Sequence, residues 1–153
     1  MWEKIEEFGK MMTENVSSCM THIPGDKQSV EMQNTFPVKQ HLENGMYTRE
    51  VLMPKGSLVI SLIHKQNHPS FFLKGEMSIL TDDGEVKKIK APMHLNTKTG
   101  TQRVAYMHED CVWTCVYKTE AKTFEEAEVD VYTNDYRDLP IELINKNKLL
   151  WQE

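Results

Sequence analysis

Hydrophobic and polar residues alternate in short runs through the middle of the chain, and this alternation predicts β-strands. Turn residues separate the runs at Asn44-Gly45, Pro54-Lys55-Gly56 and Asp82-Asp83-Gly84. Because asparagine and glycine both accept positive φ angles, Asn44-Gly45 predicts a tight hairpin between the two runs that flank it. Short strands at even spacing with such turns indicate an antiparallel sandwich or barrel.

The rest of this pattern is organised around residues 56–75, GSLVISLIHKQNHPSFFLKG. They read as an apolar strand, a proline turn and a second apolar strand. If the first strand stays regular, every second residue from Leu58 points to one face, and His64, Gln66 and His68 continue that face. A face that is apolar at one end and polar at the other predicts a ligand or metal pocket at the mouth of a barrel.

The two segments that follow residue 90 have different predictions. Residues 91–100 are predicted to be irregular. Residues 103–106 and 111–117 alternate on either side of His108-Glu109-Asp110, which predicts a further hairpin.

Both ends of the chain have different patterns. Residues 2–16 carry an apolar stripe at helical spacing, and residues 17–36 read as a loop or a short edge strand. In the tail, Thr123 and Glu126 have capping-box spacing, and Pro140 fits the first turn of a final helix that carries Ile141, Ile144 and Leu149. We therefore divide the chain into an N-terminal helix and wrapping segment (1–36), a β-barrel (37–118) and a helical C-terminal extension (119–153).

Composition narrows the class of protein. The 153 residues suffice for one core, and the net charge of -5, without a dense basic run, favours neither nucleic acid nor an anionic membrane as a partner. No apolar run is long enough to span a bilayer and no basic signal region opens the chain, so we expect a soluble, cytoplasmic protein. Trp151 near the end suggests that the tail docks on an apolar surface, and a homodimer partner is the simplest candidate.

The three cysteines do not form a disulfide framework. Cys111 and Cys115 lie in one predicted strand, where four residues span roughly 13 Å, too far for a disulfide bond. Their spacing also differs from that of a zinc knuckle. We expect them to be small buried side chains.

The region from about residue 37 to residue 118 resembles the cupins, small jelly-roll barrels, and most closely the short cupin-like proteins encoded by tailed phages. The first cupin motif is matched by Gly56, at a longer spacing, and by His64 and Gln66 at its two histidine positions. His68 stands where the family has a glutamate, seven residues before Gly75.

In the second cupin motif, Lys98-Thr99-Gly100 is followed by Arg103 at the histidine position and Met107 at the asparagine position. The resemblance implies an all-β, cupin-like antiparallel jelly-roll β-barrel, with the N-terminal helix and the C-terminal helical extension attached. It also implies that His64 and His68 remain as candidate ligands for Zn, Ni, Mn or Fe. Gln66 and Arg103 stand at positions where the family has metal ligands. Neither is a suitable substitute, because an amide oxygen is a poor ligand for a transition metal and a guanidinium stays protonated.

The first functional hypothesis is that the barrel binds a small anionic ligand with little or no catalysis. The ligand-binding candidates are Arg103, Gln66, His64, His68 and Phe72. Arg103 suits an anion because guanidinium binds carboxylate or phosphate bidentately. Each candidate also has a structural interpretation: the histidines as paired polar groups at the rim, Arg103 as half of an ion pair, and Phe72 as core packing.

Two alternatives remain open. One is a metal-dependent enzyme of the isomerase, epimerase or dioxygenase type, with His64 and His68 as metal ligands. The other is a phage accessory protein in the host cytoplasm that acts through protein–protein contacts or sequesters a host signalling nucleotide.

Overall fold

The computed structural model describes residues 19–20, 36–80 and 84–144. Within them the chain forms twelve strands, an α-helix α1 (Phe124–Val131), a 3₁₀ helix (Tyr136–Asp138) and a helical turn at residues 141–144. The strands are β1 (Cys19–Met20), β2 (Val38–Glu43), β3 (Met46–Met53), β4 (Leu58–Ile60), β5 (Ile63–His64), β6 (His68–Lys74), β7 (Glu76–Leu80), β8 (Val86–Lys90), β9 (Met93–Thr97), β10 (Val104–Met107), β11 (Cys111–Lys118) and β12 (Tyr132–Thr133).

Ten of these strands form two five-stranded sheets. Sheet 1 has the order β1-β4-β10-β7-β8 and sheet 2 has the order β2-β3-β11-β6-β9, while β5 and β12 form a separate pair. Neighbours in both sheets are antiparallel, except that β1 runs parallel to β4. From β3 to β11 the chain passes repeatedly between the sheets. The fold is therefore an all-β jelly roll followed by helical residues, as the sequence predicts.

The core lies between the sheets and takes side chains from both. Strand β11 shows how the alternation works, since Cys111, Trp113, Cys115 and Tyr117 all point inward and are buried. Both of these cysteines are free thiols, which confirms the prediction that they are small buried side chains without a mutual disulfide.

Local turn and cap predictions are confirmed. Asn44 and Gly45 have φ angles of 52° and 73° and connect β2 to β3, which pair antiparallel. Thr123 is the N-cap of α1, where its hydroxyl accepts a hydrogen bond from the Glu126 amide. The helical turn at residues 141–144 follows Pro140, as expected.

The prediction of a hairpin at residues 108–110 is wrong. β10 pairs with β4 and β7 in sheet 1, whereas β11 pairs with β3 and β6 in sheet 2, so these residues carry the chain from one sheet to the other. Two hydrogen bonds fix this connection to neighbouring segments. The Asp110 carboxylate accepts from the Lys55 amide at 2.9 Å, and the His108 amide donates to the Glu76 carbonyl at 2.9 Å.

The prediction that residues 91–100 are irregular is also wrong, because they contain β9. Met93, Leu95 and Thr97 alternate with the exposed His94 and Asn96, so the alternation typical of a strand is present in these five residues and the prediction overlooked it. The strand is fixed by its pairing with β6 at the edge of sheet 2.

Several predictions concern residues outside the described ranges. These are the N-terminal helix at residues 2–16, the central residues of the Asp82-Asp83-Gly84 turn, and the contributions of Leu149 and Trp151 to the tail. Across the described ranges, no helix has both the length and the apolar character needed to cross a membrane.

Candidate functional site

A cavity of about 100 Å³ lies inside the barrel, between the two sheets. Most of its wall is apolar and comes from strands β3, β4, β7, β10 and β11. The apolar lining residues are Val51, Met53, Val59, Ile60, Leu62, Met77, Ile79, Ala105 and Trp113. The polar lining residues are Arg49, Ser61, His64, Arg103, Cys115 and Tyr132. This described lining contains two guanidinium groups and no carboxylate.

The strand that brings His64 to the cavity is interrupted. β4 ends at Ile60, although the Ser61 amide still donates to the Arg103 carbonyl at 2.8 Å and the His64 amide to the Thr101 carbonyl at 3.0 Å. Residues 63–64 form the separate strand β5, in which His64 pairs with Tyr132 of β12. The assumption of one regular strand from Leu58 to His68 is therefore wrong.

His64 stands in a cluster of aromatic side chains at this end of the cavity. Its Nδ1 lies 2.9 Å from the hydroxyl of Tyr117, which donates a hydrogen bond to the hydroxyl of Tyr132 at 2.8 Å. Burial, and then the nearby His68, Arg103 and Arg49, hold the pKa of His64 well below its ordinary value. The imidazole is therefore neutral at pH 7.

His68 lies beside His64, with ring centroids 4.7 Å apart, although the strand between them is broken. Its Nδ1 donates to the Gln66 carbonyl at 3.0 Å, and its ring packs 4.1 Å from that of Tyr117. Nε2 is buried and has no hydrogen-bond partner among the described residues. Burial lowers the pKa of His68 too, although the Gln66 carbonyl opposes this shift.

Arg103 comes from the loop between β9 and β10 and lines the cavity. Its Nη2 donates to the Thr97 hydroxyl at 3.1 Å, and its guanidinium carbon lies 5.5 Å from the ring centroid of Trp113. The Thr97 hydroxyl also forms a hydrogen bond with the Ser70 hydroxyl, with 2.7 Å between the two oxygen atoms. These contacts fix the direction of the guanidinium group in the wall.

Arg49 is a second cavity arginine, and the sequence analysis missed it. It lies on β3, where Tyr47, Val51 and Met53 share its inward parity, so the alternation of this strand was a signal that could have found it. Its Nε is buried without a hydrogen bond; the Glu128 carboxylate of α1 is 3.9 Å away, an ion-pair distance too long for a hydrogen bond. Its guanidinium carbon lies 5.8 Å from the Tyr132 ring centroid.

The structure does not bring Gln66 and Phe72 to the cavity wall. The Gln66 amide donates to the Lys118 carbonyl at 3.0 Å, because the turn between β5 and β6 directs it toward the end of β11. Phe72 is fully buried and packs on Trp113, with ring centroids 5.5 Å apart. Of the five predicted ligand-binding residues, Arg103 and His64 line the cavity, and His68 contacts His64.

The resemblance to cupins implies a metal centre of three histidines and one carboxylate, and the described residues do not fit it. Only His64 and His68 offer imidazoles here, while Gln66 is directed to Lys118 and the guanidinium of Arg103 cannot ligate. Across the described ranges, no three histidine, cysteine or carboxylate side chains are grouped so that they could hold a metal ion. The metal-ligating side chains among the described residues therefore do not fit a cupin-type metal centre.

No protein-family model and no curated protein matches the sequence. Among solved structures, ectoine synthase from P. lautus is similar at 18% identity and a TM-score of 0.49, over 63% of this chain and 70% of that one. A Cupin_2 domain of an XRE family transcriptional regulator from Enterobacter cloacae is similar at 12% identity and 0.46, over 57% and 99%. An acetylacetone dioxygenase from Acinetobacter johnsonii is similar at 16% identity and 0.46, over 54% and 59%. We infer none of the chemistry of the site from these neighbours.

Proposed function

We propose that the barrel binds a small organic anion in its interior cavity and that this binding requires no chemical step. The observation that carries the proposal is the charge of the wall: Arg49 and Arg103 line the cavity, and no described lining residue is acidic. Guanidinium groups in a mostly apolar wall can bind a carboxylate or phosphate bidentately, which favours an anionic occupant.

The two arginines are suited to this role for different reasons. Arg103 is held from the side by Thr97 and packed over Trp113, so little conformational entropy remains to be lost when an anion binds. Arg49 forms an ion pair with Glu128, with 3.9 Å between Nε and Oε1, and its Nε makes no hydrogen bond among the described residues. Both guanidinium groups depress the pKa of His64, which places them within electrostatic reach of the same point.

The size and polarity of the cavity restrict the anion. A volume of about 100 Å³ is enough for several water molecules or one small organic molecule. The apolar side chains that dominate the wall would cover a short hydrocarbon body. A carboxylic acid with a few carbon atoms matches both properties.

The test compares acids with uncharged molecules of the same shape. We expect isothermal titration calorimetry to detect binding of propionate or isobutyrate and little binding of propionamide or isobutyramide. Arg103→Gln should weaken acid binding at least tenfold, since hydrogen bonds to charged groups contribute about 1.5–3 kcal/mol. Arg137→Gln is the matched control, because Arg137 is exposed and pairs with Asp135 away from the cavity.

The result that would remove the proposal is equal binding of acid and amide by the native protein, or acid binding that Arg103→Gln leaves unchanged. Circular dichroism of both variants separates a loss of binding from a loss of fold.

A further inference from the structure

A chain of hydrogen bonds leaves the cavity at His64, passes behind the wall and returns to the cavity at Tyr132. The middle member, Tyr117, is 1% exposed and does not line the cavity, whereas both ends do. The two links are short, at 2.9 Å between His64 Nδ1 and the Tyr117 oxygen and 2.8 Å between the two tyrosine oxygens. The hydrogen-bonding state of either end therefore depends on the other.

The protons of this chain can be assigned from one end to the other. Tyr117 has one hydroxyl proton and donates it to Tyr132, so its oxygen accepts from His64 Nδ1. A neutral imidazole carries a single N–H, and with that proton on Nδ1 the Nε2 atom is a bare acceptor. The Tyr132 oxygen is an acceptor in its bond with Tyr117, so its own proton remains for a different acceptor.

Two residues that line the cavity, His64 and Tyr132, therefore each keep one group that this chain of hydrogen bonds does not use: an acceptor at His64 Nε2 and the hydroxyl proton of Tyr132. We infer that the ligand is a small hydroxy-carboxylate, whose carboxylate binds the guanidinium groups and whose hydroxyl donates to His64 Nε2 while accepting from Tyr132. This inference rests on the proposed anion-binding function and names the class of anion.

A hydroxyl fits this position better than an amine. At neutral pH an aliphatic amine is an ammonium ion, and the charges of Arg49 and Arg103 that hold the carboxylate would repel it. A hydroxyl is neutral and can donate and accept at once, which matches a neighbouring acceptor and donor. A simple carboxylic acid would offer no partner to His64 Nε2 or to the Tyr132 proton, whereas a hydroxy acid satisfies both.

Tyr117 is a positioning residue in this scheme, because it fixes the tautomer of His64 without touching the ligand. The test measures selectivity for three related acids: lactate, propionate, and 2-methoxypropionate, which has an oxygen acceptor but no donor. We expect native protein to bind lactate at least about tenfold more tightly than either of the others. In Tyr117→Phe the His64 tautomer is no longer fixed, Nε2 can carry the proton, and the preference for lactate over 2-methoxypropionate should fall toward onefold.

Tyr106→Phe is the matched control. Tyr106 is 44% exposed on β10 and contacts His108 outside the cavity, so its loss should leave the ratio unchanged. Nitrogen-15 NMR of His64 gives a second readout that needs no ligand: we expect protonated Nδ1 in native protein and in Tyr106→Phe, and a mixture of tautomers in Tyr117→Phe.

The outcomes separate the two claims. If the native protein binds none of the acids, the proposed function fails and this inference fails with it. If the acids bind but lactate has no advantage, anion binding stands and the hydroxy-acid inference is overturned. It is also overturned if NMR places the His64 proton on Nε2 in the native protein, or if Tyr117→Phe retains the full lactate preference.

Discussion

Gly75 joins β6 of sheet 2 to β7 of sheet 1, and replacing it by alanine should destabilise the fold through a steric contact that can be isolated. Its φ angle is +94°, and a Cβ built on it would lie 2.6 Å from the Asp110 carbonyl oxygen and 2.7 Å from the Cys111 Sγ. Both distances are shorter than any tolerated carbon contact, so the corner at residues 108–110 or the one at residue 75 must move.

The magnitude has two parts. A left-handed backbone costs an alanine about 1–2 kcal/mol, and forcing extra atoms into a packed region costs about 1–3 kcal/mol. Gly56 provides the matched control, since it is a corner glycine with φ of +81° whose added Cβ meets no described atom within 4 Å. Gly56→Ala should lose only the backbone part, so the difference in the free energy of unfolding should be about 1–3 kcal/mol.

Urea denaturation followed by circular dichroism measures both variants, and the gain from restricting the unfolded chain cancels in the comparison. The double variant Gly75→Ala/Cys111→Ala should show partial recovery relative to the two single changes added together, because it removes the Sγ contact and leaves the contact with Asp110. The reasoning is refuted if Gly75→Ala is no more destabilising than Gly56→Ala.

Two further predictions concern pH and the helix that follows the barrel. Because the folded pKa of His64 lies well below its unfolded value of about 6.5, the unfolded chain takes up a proton that the folded chain does not, so stability should be constant above about pH 7 and fall as the pH drops below 6.5. His64→Gln should flatten this fall, and an identical pH profile of the free energy of unfolding in both proteins would contradict the assignment. Thr123→Ala should lower the free energy of unfolding by about 1 kcal/mol, since it removes the 3.2 Å hydrogen bond from the Glu126 amide, whereas Thr123→Ser should retain most of it. Equal urea midpoints for Thr123→Ala and Thr123→Ser would show that the cap contributes nothing.

The features that the sequence predicted correctly are those that depend on neighbouring residues. The turn at Asn44-Gly45 forms because both residues tolerate positive φ angles. Thr123 caps the helix because its hydroxyl accepts from an amide only three residues later. The inward parity of Cys111 and Cys115 follows from regular alternation within one strand. Each of these signals lies within a few residues, where no distant partner can override it.

The site was less predictable because its geometry depends on distant partners. His64 pairs with Tyr132 of β12, 68 residues later in the chain. The local alternation around His64 therefore could not show where the first strand ends. Arg49 sits between Thr48 and Glu50, in a run that reads as polar. Its inward parity on β3 could be read from the alternation, but its contacts with Glu128 and Tyr132 come from distant parts of the chain and could not.

Two residues beside the cavity, Tyr132 and Glu128, come from the segment that follows the last strand of the two sheets. Both five-stranded sheets are complete by Lys118, yet one lining residue of the cavity, Tyr132, is supplied by β12, and the carboxylate near Arg49 is supplied by α1. Under the proposed function, changes in residues 124–133 would alter the surroundings of Arg49 and His64 while the sheet pairings stay intact. The segment after the sheets would then adjust a site whose main charged groups, Arg49 and Arg103, belong to the barrel region.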